Sequence, residues 1–163
     1  MCGVLGITIK NFNEGDYDLV RSLFIQSMIR GKHATGVSFW KGKEVHTIKE
    51  PLPAEEFLEK HDVRDWFDGD KITMIAHCRY STSDLDYNQP ISDNTRSLVH
   101  NGVISQAPSD QWFEMYGIEC EGKNDSELLF RTGLQNWPDA SIAAVFLDGP
   151  KMTWYRNGKR PLW

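Results

Sequence analysis

The spacing of apolar residues predicts three buried strands and one long helix. Short apolar runs of the kind that form buried strands lie at residues 3–9, 71–77 and 97–100. Between residues 17 and 30, apolar side chains recur three and four positions apart, which predicts an amphipathic helix packed on a flat surface. Asp16 or Asp18 is expected at the start of this helix, and Gly31 at its end.

Glycine-containing connections between apolar runs predict two hairpins, at residues 36–48 and 142–155. Further helices are expected at residues 53–60, 63–67 and 125–136. The polar stretch 81–96 has no periodicity, and a loop of that length in a compact domain is usually functional. The strand that follows this stretch is expected to end at Asn101 and Gly102, a turn-forming pair.

The order of these elements indicates the fold class. Hairpins favour antiparallel sheets, and amphipathic helices must cover the outer faces of such sheets, which is compatible with an α+β class. A length of 163 residues corresponds to one domain at roughly 150 residues per domain. We therefore expect a single compact domain over residues 1–163.

Composition and charge exclude several classes of function. The formal net charge is −5, whereas binding to phosphates requires a basic surface, so no nucleic-acid partner is expected. No apolar run approaches the roughly 20 residues that cross a bilayer, and the first residues lack a signal-peptide pattern. We therefore expect a cytoplasmic protein with no membrane partner. Its cysteines, Cys2, Cys78 and Cys120, are expected to be free thiols.

The second residue is a candidate nucleophile. If Met1 is removed, Cys2 carries a thiol and a free α-amine on the same carbon. An α-amine ordinarily titrates at about 7.7–8.0 and a thiol at about 8.5, so the amine can act as the base without a histidine. The alternative is that Cys2 is only a small residue in second position.

Five short motifs follow one another along the chain. They are Cys2-Gly3-Val4-Leu5-Gly6, Arg30-Gly31, His77-Cys78-Arg79-Tyr80-Ser81-Thr82, Asn101-Gly102 and Asp125-Ser126-Glu127. Together they resemble the glutaminase domain of class II glutamine amidotransferases. These are N-terminal-nucleophile hydrolases, such as glucosamine-6-phosphate synthase and amidophosphoribosyltransferase. The resemblance implies a four-layer αββα sandwich of two antiparallel sheets with the helices outside.

The resemblance further implies hydrolysis of L-glutamine to glutamate and ammonia through a glutamyl thioester on Cys2. The tetrahedral oxyanion of such an acyl transfer needs preorganised hydrogen-bond donors. By resemblance, the side-chain amide of Asn101 and the backbone N–H of Gly102 are these donors, whereas the alternative for this pair is a plain turn. No cofactor is implied.

The resemblance also assigns residues that bind the glutamine head group. Arg79 would bind the α-carboxylate, since a guanidinium binds a carboxylate through two parallel hydrogen bonds, and the Thr82 hydroxyl would lie nearby. Asp125 would bind the α-ammonium group, and Arg30 would orient the surroundings of the nucleophile. The structural alternatives are a surface salt bridge for Arg79 and a helix cap for Asp125.

The histidines do not follow the family pattern throughout. His33 stands where the family usually has an acidic residue, which leaves the local hydrogen-bond network open. We interpret His77 and His100 as structural, because the α-amine already supplies a base. None of His33, His46 and His61 has a cysteine or an acidic residue at the spacing typical of metal ligands. No metal site is therefore expected.

Three functions are compatible with these observations. The first is a glutamine amidohydrolase, or an amidotransferase subunit that supplies ammonia to a separate synthase partner, since no synthase domain is expected within residues 1–163. The second is a related γ-glutamyl amidohydrolase that acts on another substrate. The third is a catalytically silent module that binds glutamine or a protein. Retention of Met1 would favour the third, because the thiol would then lack its base.

Overall fold

A computed structural model of the chain describes residues 2–81 and 87–162. The strands are β1 (Gly3–Lys10), β2 (Ala34–Lys41), β3 (Glu44–Glu50), β4 (Lys71–Arg79), β5 (Ile91–Ser92), β6 (Arg96–Val103), β7 (Ser141–Asp148) and β8 (Lys151–Arg156). The α-helices are α1 (Glu14–Met28), α2 (Ala54–Lys60), α3 (Trp112–Tyr116) and α4 (Ser126–Thr132). Short 3-10 turns occur at Val63–Trp66, Ser109–Gln111 and Leu134–Asn136.

The strands form two four-stranded antiparallel sheets. The first sheet has the order β1-β4-β2-β3 and the second has the order β5-β6-β7-β8. The predicted hairpins are confirmed as β2–β3 and β7–β8. In the first sheet, β4 pairs with both β1 and β2, which brings the start of the chain beside the end of β4.

Three apolar cores separate the layers of the molecule. Phe24 of α1 and Phe57 of α2 are buried against the outer face of the first sheet. Leu129 of α4 is buried against the outer face of the second sheet. The two sheets meet through Val45, Ile75, Val99, Val145 and Leu147. The predicted four-layer αββα sandwich, and with it the α+β class, is therefore confirmed.

Two helices differ from their predicted bounds for local reasons. The first begins at Glu14 rather than at residue 17, because Asn13 caps it and forms a reciprocal capping box with Asp16. The last ends at Thr132, because Gly133 adopts a φ of 83°, and a 3-10 turn continues in its place. Helix α3 was not predicted.

The strand predicted to end before Asn101 instead continues to Val103. Asn101 pairs with Ala143, and Gly102 pairs with Ile142, within the β6–β7 ladder. A Cβ on Gly102 would overlap the carbonyl oxygen of Ser141, so only glycine fits there. The expectation of a turn at Asn101-Gly102 is therefore wrong, and the pair lies on a rigid strand instead.

Candidate active site

Cys2 lies at the end of the first sheet, in the space between the two sheets. Gly3 pairs with Cys78 in the β1–β4 ladder, so Cys2 precedes β1 beside the last residue of β4. Its backbone N–H donates to Asn101 Oδ1 at 3.3 Å, and its Sγ lies 3.9 Å from the Tyr80 carbonyl oxygen. Cys2 is half-buried, so its thiol is accessible from the cleft beside it.

Strand alternation explains why side chains from both sheets meet at this point. Val4 and Val99 belong to the core between the sheets, and successive side chains of a strand point to opposite faces. Cys2 is two residues before Val4, and Asn101 is two residues after Val99. Both therefore face the interior of the sandwich, and Asn101 is buried there. The Asn101 NH2 group makes no hydrogen bond within residues 2–81 and 87–162.

Arg79 is the last residue of β4 and faces the same space. Its Nη1 donates to the Tyr87 carbonyl oxygen at 2.9 Å and to Asn88 Oδ1 at 2.8 Å. The Asn88 side chain is buried. These hydrogen bonds hold one arm of the guanidinium in a fixed position at the end of the first sheet.

Asp125 directly precedes α4, but its side chain does not cap that helix. Its Oδ2 instead accepts from the backbone N–H groups of Ile104, at 2.6 Å, and Ser105, at 3.3 Å. Asn124 bonds the start of the helix through its Oδ1, which accepts from the Ser126 N–H at 3.1 Å. The Asp125 carboxylate is thus fixed against the segment that follows β6.

The Arg30-Gly31 motif supports the Cys2 end of the first sheet. Arg30 Nε donates to the Cys2 carbonyl oxygen at 3.3 Å. A Cβ on Gly31 would overlap the backbone of Arg79, so glycine is needed for this approach. His33, which stands where an acidic residue was expected, accepts a hydrogen bond through Nδ1 from the Ser81 N–H at 2.9 Å.

Most of the predicted site residues line one cleft of about 370 Å³. They are Cys2, Arg79, Asn101, Gly102 and Asp125. Arg30 lies outside this cleft and lines a second one, of about 340 Å³, on the other side of Cys2. Thr82 and Met1 lie outside the described residues. Pro161 and Leu162, near the end of the chain, border the second cleft.

A buried network around His100 was missed by the sequence analysis. Gln89 donates to the His100 carbonyl oxygen and accepts from the His100 N–H, at 3.0 and 2.6 Å. The His100 ring bonds Ser126 Oγ through Nδ1, at 2.9 Å, and the Ser141 carbonyl oxygen through Nε2, at 3.1 Å. Burial lowers the pKa of His100, so the ring is neutral and donates from Nε2. These partners fit the structural interpretation of His100.

His77 contrasts with His100, although both lie on strands at the cleft. Its side chain is fully buried, yet neither ring nitrogen has a hydrogen-bond partner among the described residues. Burial, with a smaller contribution from the positive charge of Arg79, lowers the pKa of His77 to about 3, and the nearby His100 backbone opposes this shift only weakly. The ring is therefore neutral at physiological pH, and the residue borders the cleft although neither ring nitrogen is exposed to it.

The other two cysteines do not compete with Cys2 as nucleophiles. Burial raises the pKa of Cys78 to about 12 and that of Cys120 to about 11, which makes both poor nucleophiles. In the described part of the chain, no three His, Cys, Asp or Glu side chains converge as metal ligands. None of the helices that the structure describes is both long and apolar enough to cross a bilayer.

Comparison with known proteins identifies the fold. No family model matches the chain, and no curated protein matches it in sequence. It is similar to glutamine phosphoribosylpyrophosphate (PRPP) amidotransferase from B. subtilis complexed with ADP and GMP, with 19% identity, a TM-score of 0.65, and coverage of 94% of this chain and 37% of that chain. A structure described as the allosteric regulatory enzyme of purine biosynthesis gives 20% identity, with the same TM-score of 0.65 and coverages of 94% and 37%.

The chain therefore shares the fold of these enzymes and spans little more than a third of their length. The resemblance predicted from the motifs is confirmed at the level of the fold.

Proposed function

We propose that this chain hydrolyses the side-chain amide of L-glutamine and releases ammonia through a γ-glutamyl thioester on Cys2. The observation that carries the proposal is the meeting of four groups at one cleft: a thiol, a carboxamide, a guanidinium and a carboxylate. The shared fold with a glutamine-using amidotransferase supports the same substrate class. A synthase partner that consumes the ammonia, on a further subunit, is part of the proposal.

Arg79 and Asp125 fit the two charges of an amino-acid head group. A guanidinium bonds a carboxylate through its planar fork, and an aspartate pairs with an ammonium group. Both side chains are already held, Arg79 by Tyr87 and Asp125 by Ile104. Because they are held before substrate arrives, little side-chain entropy is lost on binding. The amide end of glutamine then extends toward Cys2.

Acylation begins when the α-amine of Cys2, freed by removal of Met1, takes the thiol proton. The thiolate attacks the γ-carbon of glutamine, and the developing oxyanion accepts hydrogen bonds from the Asn101 NH2 group and the Gly102 N–H. The amine returns the proton to the leaving nitrogen, so the C–N bond breaks and ammonia leaves. Fixed donors cost no reorganisation during the reaction, and β6 provides them on a rigid strand.

The test is labelling with 6-diazo-5-oxo-L-norleucine, an electrophilic glutamine analogue, followed by intact mass measurement. We expect one adduct on a chain that lacks Met1, together with release of ammonia from L-glutamine. The Cys120→Ala variant should label as the parent chain does, and Cys2→Ala should not label. A chain that retains Met1, takes no adduct and still binds glutamine would contradict the proposal in favour of a silent glutamine-binding module.

A further inference from the structure

Strand β8 lies at the edge of the second sheet, with β7 on one side and, among the residues that the structure describes, no strand on the other. Such an edge has a row of unpaired backbone N–H and C=O groups that can bond an added strand. The Asn157 N–H donates to the Ile142 carbonyl oxygen of β7, and ladder bonds of an antiparallel pair recur at every second residue. The backbones of Met152, Trp154 and Arg156 therefore face the open edge.

Two aromatic side chains of β8 are exposed in the middle of this edge. Trp154 pairs with Val145, which belongs to the core between the sheets, and yet Trp154 is 70% exposed. Tyr155, on the opposite face of the strand, is 38% exposed. Tryptophan and tyrosine are the side chains that most often anchor protein interfaces. Their exposure beside an open row of backbone groups indicates a contact surface.

The charge of this part of the chain is opposite to that of the rest. Residues 150–162 contain no acidic residue and four cations, which are Lys151, Arg156, Lys159 and Arg160. Since the whole chain has a formal net charge of −5, the rest of it carries −9 once these four positive charges are set apart. None of the four forms an ion pair within the described part of the chain. Their charges are thus available to an acidic partner.

The other edge strands lack this combination of features. Strand β3 carries Glu44 and Glu50 together with one lysine, whereas β1 has Lys10 as its one charged residue and no aromatic residue. Strand β5 has only two residues. Cations at an edge oppose pairing with a neutral or basic strand, so the cations of β8 select against such partners. A second copy of β8 would place cations opposite cations, which also disfavours self-pairing.

A single-stranded nucleic acid is the competing occupant, because cations beside aromatic rings bind such chains too. Two observations favour a protein strand. The open edge of β8 presents carbonyl oxygens as well as N–H groups, and a carbonyl oxygen cannot bond a phosphate, which has only acceptors. The acidic remainder of the chain would also repel a polyanion that extends beyond β8.

We propose that β8 binds an extended acidic segment of a partner protein, which adds to the second sheet as a further strand. The open backbone groups of β8 hydrogen-bond the segment, and Trp154 packs against one of its apolar side chains. Lys151 and Arg156, at the two ends of β8, pair with its carboxylates. No residue of β8 lines either cleft beside Cys2, so this inference is independent of the proposed function.

The experiment measures binding of a short capped peptide by titration calorimetry. The peptide alternates threonine and valine and carries two glutamates with the spacing of Lys151 and Arg156. A second peptide has lysines in place of the glutamates. A third keeps the glutamates but carries N-methyl groups on alternate backbone amides, which removes the donors that strand pairing needs. We expect the second and third peptides to bind at least about tenfold more weakly than the first.

Variants of β8 are compared with matched changes elsewhere on the surface. We expect Trp154→Ala to weaken binding of the acidic peptide by at least about tenfold, as for an interface anchor, and Lys151→Glu to weaken it by a similar factor. Phe113→Ala is the control for the tryptophan, because Phe113 is 67% exposed. Lys10→Glu is the control for the lysine, because Lys10 is the exposed terminal residue of another edge strand. Both controls should bind as the parent chain does.

Amide hydrogen exchange tests the geometry of the added strand. The amides of Met152 and Trp154 face the open edge, so their exchange should slow when the acidic peptide binds. The amides of Thr153 and Tyr155 face β7, and their exchange should change less. Alternation of this kind along β8 is expected for strand addition and not for capture by charge alone.

Four results would overturn the proposal. The first is no binding of the acidic peptide to the folded parent chain at concentrations up to about 1 mM. The second is equal binding of the N-methylated peptide, which would mean that charge alone holds it. The third is tighter binding of oligouridylate than of the peptide, lost in Trp154→Ala, which would assign the edge to nucleic acid. The fourth is a dimer of the parent chain in sedimentation that Trp154→Ala abolishes, which would assign the edge to a second copy.

Discussion

The two sheet ends that meet at the cleft differ in how their polar groups are bonded. At the end of the second sheet, His100 bonds Gln89, Ser126 and Ser141, so its backbone and ring are satisfied inside the protein. At the end of the first sheet, the His77 ring has no partner in the described residues, and the Cys2 thiol has only a long contact to a carbonyl.

This difference indicates that the two sheets contribute differently to the cleft. The second sheet forms a hydrogen-bonded frame of Gln89, His100, Ser126 and Ser141. This frame holds the strand that carries Asn101 and Gly102, the proposed oxyanion donors. The first sheet presents the Cys2 thiol and the Arg79 guanidinium to the cleft, and these two side chains together with Asn101 are called the presented groups below. Substitutions in the frame should therefore lower stability, and substitutions of the presented groups should lower turnover while leaving stability nearly unchanged.

The largest effect should come from Cys2→Ala, the most direct test of the presented groups. We expect turnover of glutamine to be lost, since no thioester can form, while binding of glutamine persists. Steady-state ammonia release and calorimetric binding measure the two properties. Cys120→Ala is the control, because Cys120 does not line the cleft and is poorly nucleophilic. Turnover by the Cys2→Ala variant would remove Cys2 from the mechanism.

Asn101→Ala tests the one presented group that comes from the second sheet. Loss of an oxyanion donor typically lowers kcat by about 10²–10³-fold. We expect a drop of that size with little change in KM, and a smaller loss of stability than in frame variants. Asn94→Ala, at an exposed position, is the control. An unchanged kcat would mean that another group stabilises the oxyanion.

Gln89→Leu breaks the frame. It removes both partners of the His100 backbone and one partner of Ser126, all buried. Ser126 keeps its bond to the His100 ring, so two buried groups are orphaned. At about 1–3 kcal/mol for each of them, we expect the free energy of unfolding to fall by about 2–6 kcal/mol. Chemical denaturation measures this change, with the exposed Gln106→Leu as the control. A fall of less than about 1 kcal/mol in the free energy of unfolding would show that other groups can take over the hydrogen bonds of Gln89.

Arg79→Lys should have a moderate effect confined to binding. A lysine is a point charge and cannot form the paired hydrogen bonds of a guanidinium. We expect KM for glutamine to rise about tenfold, which corresponds to roughly 1.4 kcal/mol, while kcat stays within a factor of about two. Arg64→Lys, at the surface, should leave both constants unchanged. An unaltered KM in Arg79→Lys would assign the α-carboxylate to another residue.

The smallest effect should come from Glu127→Gln and should depend on pH. Burial alone would raise the pKa of Glu127, but hydrogen bonds from Glu121 N–H, Arg131 and Gly122 N–H outweigh it and lower the pKa below 4.5. A carboxyl whose pKa is lower in the folded state stabilises the protein above its unfolded-state pKa and loses this effect as the pH falls through the folded-state value.

Unfolding measured from pH 7 to pH 2 should therefore show the Glu127→Gln variant less stable by about 1 kcal/mol near neutrality, with the difference vanishing toward low pH. Glu121→Gln is the matched control, because Glu121 pairs with the same arginine but is 93% exposed. A constant difference at every pH would mean that Glu127 acts through packing rather than through its charge.

Elements in which apolar residues recur regularly over several positions were predictable from the sequence, whereas short elements without such a pattern were not. The hairpins, β1, β4 and α1 follow their patterns to within a few residues. Helix α3 has five residues and leaves Phe113 and Met115 exposed, so it carries no amphipathic signal. The end of β6 was misjudged because Asn101-Gly102 has turn composition, while pairing with β7 fixes it as a strand.

The candidate site was predictable where residues belong to local motifs. Cys2, Arg79, Asn101 and Asp125 were found in this way and lie at one cleft. Gln89 was missed, because burial of a polar side chain depends on partners far along the chain and leaves no periodic trace. The contrast between two histidines on facing strands is equally invisible in the sequence, since it depends on which neighbours the fold supplies.

The close packing of Gly31 against β4 limits how this protein can change over evolution. Position 31 touches the backbone between Cys78 and Tyr80, so any added side chain would displace that segment as a unit. That segment carries both the arginine expected to bind substrate and the carbonyl beside the thiol. A homologue with another residue at this position would therefore have a displaced β4 end. Its substrate-binding arginine and the surroundings of its nucleophile would have to change together.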